Sequence, residues 1–145
     1  MMKGIYDQMK KVKDVMSTDV DFCTPKDNIF EVATKMEQDD VGIIPIIDEG
    51  ELKGVITDRD LAIRGTAAKK PGSTSVTDVM SQDLVTVTPD MTVEAAAELM
   101  SKHQIRRLPV VVNRHLVGIV SLGDLATDPR TDEFASTALS DISED

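Results

Sequence analysis

Residues 12–62 align with residues 76–126 at a constant offset of 64 and without a gap, and sixteen of the 51 paired positions are identical. Val12, Asp14, Val15, Met16, Ser17, Thr24, Pro25, Met36, Pro45, Gly54, Asp60 and Leu61 all meet their own kind, and Val41/Ile105, Ile44/Leu108 and Val55/Ile119 are conservative pairs. An internal duplication of this kind restricts the chain to two copies of one supersecondary unit. A unit of about 50 residues buries too little surface to stand alone, so the two copies are expected to share their burial. Aromatic residues make up only 3% of the 145, so any core must be built from Val, Ile, Leu, Met and Ala.

Both repeats carry the same pattern. Val20–Thr24 and Leu84–Thr88 read as short strands ending at Pro25 and Pro89. Asn28 and Thr92 are helix N-cap candidates, followed by Ile29, Val32, Ala33, Met36 and by Val93, Ala96, Ala97, Met100 at helical spacing. Ile43–Asp48 and Leu108–Val112 are apolar runs with an internal proline, which points to an edge strand or a bulge. Turns at Glu49-Gly50-Glu51 and Asn113-Arg114-His115 lead into hairpin partners at Leu52–Thr57 and Leu116–Ser121, and helices starting at Thr57 and Ser121 close each unit. The expected fold class is α+β: two β-α-β-β-α repeats packed sheet to sheet with pseudo-two-fold symmetry. The expected divisions are an N-terminal helical lead over 1–11, repeat 1 over 12–66, a linker over 67–75, repeat 2 over 76–127 and an acidic tail over 128–145. The tail holds six carboxylates and one arginine. It reads as largely solvated, with Phe134 and Leu139 as candidates for docking.

The most chemically suggestive stretch occurs twice, as Gly54-Val55-Ile56-Thr57-Asp58-Arg59-Asp60 and Gly118-Ile119-Val120-Ser121-Leu122-Gly123-Asp124. Thr57 or Ser121 at a strand-to-helix turn, with Asp three residues on, is a capping box. The same turn also offers free N–H groups and a positive dipole end to a phosphate, and its carboxylate can accept from the vicinal hydroxyls of a ribose. The residues alone leave both readings open.

The net charge of −10 opposes non-specific binding to nucleic acid or anionic membrane. One cysteine and two histidines supply neither a disulfide nor a cysteine-based or histidine-rich metal site. No apolar run approaches the length of a membrane span and no signal peptide is visible, so the chain reads as cytoplasmic. The sequence contains no nucleophile–base pair, metal cluster or phosphate-binding glycine loop, so it does not read as an enzyme.

The motifs Val-x-Asp-Val-Met-Ser, Thr-Pro before a capped helix, Leu-Pro-Val-Val, and Gly-h-h-(Thr/Ser)-x-x-Asp (h, hydrophobic) resemble those of tandem CBS (cystathionine β-synthase-type) domains. The likeness spans residues 12–126, and the chain resembles the small stand-alone bacterial proteins made of one CBS pair, a Bateman module. It implies a regulatory sensor of adenosine compounds (AMP, ADP, ATP, S-adenosylmethionine or NAD) with two clefts between the repeats, no obligatory cofactor and no metal. It also implies a homodimer and, through it, an as yet unidentified regulated protein. In such modules the motif Asp bonds the ribose hydroxyls, the motif Thr or Ser faces phosphate, and the other repeat holds adenine.

Carried over, cleft A combines Ser121, Gly123 and Asp124 with Thr24, Ile29, Val41, Gly42 and Ile43, with Arg106 and Arg107 facing its phosphates. Cleft B combines Thr57, Arg59 and Asp60 with Thr88, Val93, Ile105, Arg106 and Arg107. Cleft A is expected to be the better phosphate site, because Asp58 lies in the turn of cleft B, and Gly42 and Ile43 stand where the second repeat has its arginines. The competing reading is a module that has lost its ligand and serves protein–protein interaction or dimerisation.

Overall fold

The computed structural model of the chain describes residues 10–126. The expected N-terminal helix, apart from Lys10 and Lys11, and the acidic tail lie outside the described residues. The helices and strands follow the duplication. A helical turn α1 (Val12–Val15) is followed by α2 (Ile29–Asp39), the hairpin β1 (Ile43–Asp48) and β2 (Glu51–Thr57), and α3 (Asp58–Asp60), which continues as a π-helical stretch over Leu61–Thr66. A 3-10 turn at Val76–Asp78 then opens the second series: α4 (Val93–His103), β3 (Arg107–Val112), β4 (His115–Ser121) and α5 (Leu122–Leu125).

Local chemistry fixes the ends of these elements. Asn28 and Thr92 cap α2 and α4, accepting from the N–H of Glu31 and Ala95. Both helices end at a left-handed residue, Asp40 and Gln104. The hairpin turns have two residues each with positive φ, Glu49 and Gly50 in the first, Asn113 and Arg114 in the second. That is the twist a two-residue turn needs to keep its strands paired. The β1–β2 register slips by one residue between Ile46 and Ile47, the bulge expected of a strand with an internal proline.

Two expectations are corrected. Val20–Thr24 and Leu84–Thr88 are not strands. Only Cys23 and Val87 pair, as single bridges to Ile46 and Val110. They are also the buried hydrophobic residues of their segments, which carry exposed polar residues and stop at proline. Ala33, placed on the core face of α2, is exposed, although its counterpart Ala97 is buried.

The compact units are not the sequence repeats. Among the described residues one unit comprises 10–19 with 85–113 and 117–126; the other comprises 20–84 with 114–116. The opening segment of each repeat therefore completes the unit built on the other repeat. Val12 lies in the core with Val93, Met100, Leu108, Val110 and Val120, while Val76 and Met80 lie in the core with Val32, Met36, Ile44, Ile46 and Ile56. The Met-Ser pair at the end of each segment makes the join. Ser17 exchanges both backbone hydrogen bonds with Ile119 (2.8 and 2.9 Å), and Ser81 does the same with Val55 (2.9 and 3.1 Å).

This join explains the first residue of the repeated stretch. A Cβ on Gly54 would lie 2.8 Å from Met80 Sδ and 2.9 Å from Ser81 O, and one on Gly118 would lie 2.8 Å from both Met16 Sδ and Ser17 O. The methionine can swing away but the carbonyl cannot without breaking the bridge. Gly54→Ala and Gly118→Ala are each expected to cost about 1–3 kcal/mol, a fall in Tm of roughly 3–10 °C. A melting temperature unchanged in both variants would show that the close approach is not obligatory.

Candidate functional site

The second strand of each hairpin runs directly into a helix start, and there both capping boxes are formed. Thr57 Oγ1 accepts from Asp60 N at 3.1 Å while Asp60 Oδ2 accepts from Thr57 N at 2.9 Å. Ser121 Oγ accepts from Asp124 N at 3.1 Å while Asp124 Oδ2 accepts from Ser121 N at 2.8 Å. The structural role of the motif is therefore real in both copies. All four residues are half-buried, so none is sealed in the core.

The surroundings of the two helix starts differ. In each unit the residue just before the first hairpin strand sits against the helix start: Asp58 N donates to Gly42 O at 2.9 Å, and Leu122 N donates to Arg106 O at 2.8 Å. The 85–126 unit thereby sets the backbone of Arg106, with Arg107 next in the chain, at the helix start that follows Ser121. Arg106 is exposed, Arg107 half-buried, and neither forms a salt bridge among the described residues. Gly123 is exposed, with nothing but Ser121 Oγ, 3.7 Å away, near the position of a Cβ. The 20–84 unit instead places Gly42 and Ile43 beside Thr57, Arg59 and Asp60. The exposed Asp58 adds a second carboxylate to its first turn, with Oδ1 accepting from Arg59 N at 2.8 Å. One helix start has the carboxylate of Asp124 and a backbone bond to Arg106, with Arg107 next in the chain; the other has two carboxylates, Asp58 and Asp60, and one arginine, Arg59.

The remaining expected residues divide by unit. Thr24, Ile29, Val41, Gly42 and Ile43 share a unit with Thr57, Arg59 and Asp60; Thr88, Val93, Ile105, Arg106 and Arg107 share one with Ser121, Gly123 and Asp124. Each unit thus holds one half of each expected cleft. Val41 is exposed and Ile105 half-buried, whereas Ile29 and Ile43 are buried and Val93 belongs to the core.

Thr24 is held by a residue the sequence reading passed over. Asp27 Oδ2 accepts from Thr24 N at 2.8 Å. Hydrogen bonding from the Glu31 carboxyl, then from the Thr24 amide, holds Asp27 below the usual carboxylate range, and Glu31 is raised in consequence. Thr24-Pro25-Lys26-Asp27 is itself a Thr-x-x-Asp pattern, so the signal was available. The second repeat has Met91 at the matching position and leaves Thr88 exposed. The π-helical turn over Leu61–Thr66, which follows the Thr57 cap directly, had no signature in the sequence; such turns recur at functional sites.

Among the described residues no group of His, Cys, Asp and Glu side chains could hold a metal ion, and no helix is long and apolar enough to cross a membrane. Cys23 is buried, and burial, then the nearby Asp27 charge, pushes its thiol up to about 12, far from the range of a nucleophile.

Comparison with known proteins adds three findings. The family model described as CBS domain matches twice, over residues 12–64 and 76–128. The Bacillus subtilis proteins YlbB and YhcV (the latter described as CBS domain-containing) are 51% and 50% identical over 138 and 135 residues, covering 94% and 93% of this chain and 93% and 96% of theirs. Among solved structures, the CBS domain pair of protein MJ0100, in complex with 5′-methylthioadenosine and S-adenosyl-L-methionine, is similar with a TM-score of 0.75 and 31% identity, over 82% of this chain and 94% of that one.

The caps themselves make a stability prediction. Ser121→Ala and Thr57→Ala are each expected to lower the unfolding free energy by about 1 kcal/mol, read from urea denaturation midpoints at constant slope. A loss below a few tenths of a kcal/mol in both would mean that the boxes contribute nothing and that these hydroxyls serve another purpose.

Proposed function

The chain belongs to the CBS-domain family, and on that footing we propose a non-catalytic regulatory module that binds an adenosine-containing ligand in clefts between its repeats. The observation that carries the proposal is the arginine pair: Arg106 and Arg107 stand at the Ser121 helix start without a carboxylate partner among the described residues. Two arginines in this backbone position, with a helix start and an exposed glycine, suit an anion such as phosphate. The adenosine part of the proposal is supported by family membership and by the ligands of the MJ0100 pair.

In this reading Asp124 accepts from the ribose hydroxyls. Ser121, Gly123, Arg106 and Arg107 receive the phosphates, and Thr24, Ile29, Val41, Gly42 and Ile43 hold the base. The matching cleft with Thr57, Arg59, Asp60, Thr88, Val93 and Ile105 takes a less charged ligand, because Asp58 repels phosphate there. AMP, ADP, ATP, S-adenosylmethionine and NAD are the candidates. Ligand spanning two repeats changes the module, and any homodimer it forms, only by its differential affinity for two states. A regulated protein then reads that change.

The first test is a thermal-shift panel with these five compounds and adenosine. A ligand at 100 times its dissociation constant adds about 2.7 kcal/mol, a shift of several degrees for a protein of this size. No shift with any compound would favour an interaction module without a ligand.

Two variants assign the roles. Asp124→Ala is expected to weaken binding by about 2–3 kcal/mol by calorimetry, beyond any loss of stability from the broken cap. Unchanged affinity would refute the ribose contact. Arg107→Ala is expected to weaken AMP and ATP more than adenosine; equal losses across the three would mean that Arg107 does not meet phosphate.

A further inference from the structure

The two Met-Ser joins are built alike but are not equally accessible. In each, the thioether fills the slot left by a glycine: Met16 Sδ lies 2.8 Å from the Cβ position of Gly118, and Met80 Sδ lies 2.8 Å from that of Gly54. Met80 is sealed, with 7% of its surface exposed, as are Met36 at 9% and Met100 at 0%. Met16 is half-buried at the edge of the core that holds Val12, Val93 and Met100, and Ser17, Thr18 and Asp19, which follow it, are exposed. Solvent therefore reaches one of the two equivalent side chains and is kept from the other.

The backbone donors beside Met16 are already taken. Ser17 N donates to Ile119 O at 2.8 Å and Ile119 N to Ser17 O at 2.9 Å, so the two amides are spent on each other's residues. Ser17 O, an acceptor, lies 2.8 Å from the same Cβ position of Gly118. A thioether suits this place because it is polarisable and needs no strong partner. A sulfoxide does not. Its oxygen is an acceptor that must either take a donor from the bridge or carry the side chain out of the slot. Both responses loosen the join.

We infer that Met16 is a site of reversible oxidation by hydrogen peroxide, and that its sulfoxide opens the join of the 85–126 unit while the equivalent join at Met80 stays closed. In the forward step the sulfur lone pair attacks one peroxide oxygen. The S–O bond forms, the O–O bond breaks, and the leaving hydroxide takes the proton of the transferred oxygen to become water. Sulfur is oxidised and the peroxide is reduced. In the return step a dithiol, acting through a methionine sulfoxide reductase, supplies the electrons and becomes a disulfide, and the oxygen leaves as water. Gly118 lies on β4, the strand that ends at Ser121, so an open join also frees the strand that sets that helix start. Oxidation then weakens anion binding there, a consequence that rests on the proposed function; the oxidation itself does not.

The test uses the full chain and no ligand, so this inference and the proposed function fail separately. Protein treated with hydrogen peroxide is mapped by peptide mass spectrometry. Met16 is expected to oxidise severalfold faster than Met36, Met80 or Met100, because susceptibility follows exposure. Amide hydrogen exchange at Ser17 and Ile119, followed by nuclear magnetic resonance, should then quicken by roughly tenfold, the response to strain of the overpacking kind, with Val55 and Ser81 unchanged. Methionine sulfoxide reductase with dithiothreitol should restore the original rates. Met16→Leu keeps the volume of the side chain and cannot form a sulfoxide. Peroxide should leave exchange at Ser17 and Ile119 unaltered in that variant, although the half-buried Met91 remains oxidisable in it. Equal oxidation rates at Met16 and Met80 would overturn the inference. So would exchange unaltered once Met16 is fully oxidised, rates that the reductase does not restore, or the same quickening in Met16→Leu.

Discussion

The close approach of a Met-Ser segment to a glycine on a hairpin strand is the contact on which each unit depends. It occurs twice, Met16-Ser17 against Gly118-Ile119 and Met80-Ser81 against Gly54-Val55, with paired backbone hydrogen bonds and a thioether where a side chain would otherwise stand. Everything downstream inherits its position. The strand that carries the glycine ends three residues later at Thr57 or Ser121, where the capping box begins. Helix start, carboxylate and nearby arginines are therefore set from one strand whose height in the unit is fixed by the absence of a side chain.

Much of this was legible in the sequence because duplication tests every pattern against itself. Asn28 and Thr92 as caps, the apolar faces of α2 and α4, and the Thr57 and Ser121 helix starts each appear twice with compatible residues. What stayed hidden was of a different kind. The exchange of opening segments leaves no local signature: Val12 and Val76 read as core residues, but periodicity cannot say of which core. The glycines carry no local sign of what approaches them, because each receives a Met-Ser segment distant in the sequence. The short pairings at Cys23 and Val87 looked like strands because β-branched propensity says nothing about how many residues find a partner. Asp27 differs in that the duplication does not repeat it: Thr24-Pro25-Lys26-Asp27 has the Thr-x-x-Asp spacing of the later motifs, but the second repeat has Met91 at the matching position.

Electrostatic asymmetry is the second organising fact. The repeats share their scaffold residues and differ around the two helix starts: Arg106 and Arg107 against Gly42 and Ile43, Leu122 and Gly123 against Asp58 and Arg59. Capping preserves Thr or Ser and Asp in both, so those residues alone say little about ligand. The variable positions around them carry the chemical distinction, because they alter local charge while both capping boxes stay intact.

The exchanged segments also bear on how such a chain could arise. A half-length ancestor with one repeat would own both a Met-Ser segment and the glycine strand that receives one, yet in this architecture neither serves its own repeat. Such a polypeptide completes its core by trading segments with a second molecule, and its folding then depends on protein concentration. Tandem fusion turns that bimolecular step into an intramolecular one, with an effective concentration set by a short connection. It also releases the two copies from identity: once each half is guaranteed its complement, one can acquire arginines and the other carboxylates without forfeiting assembly.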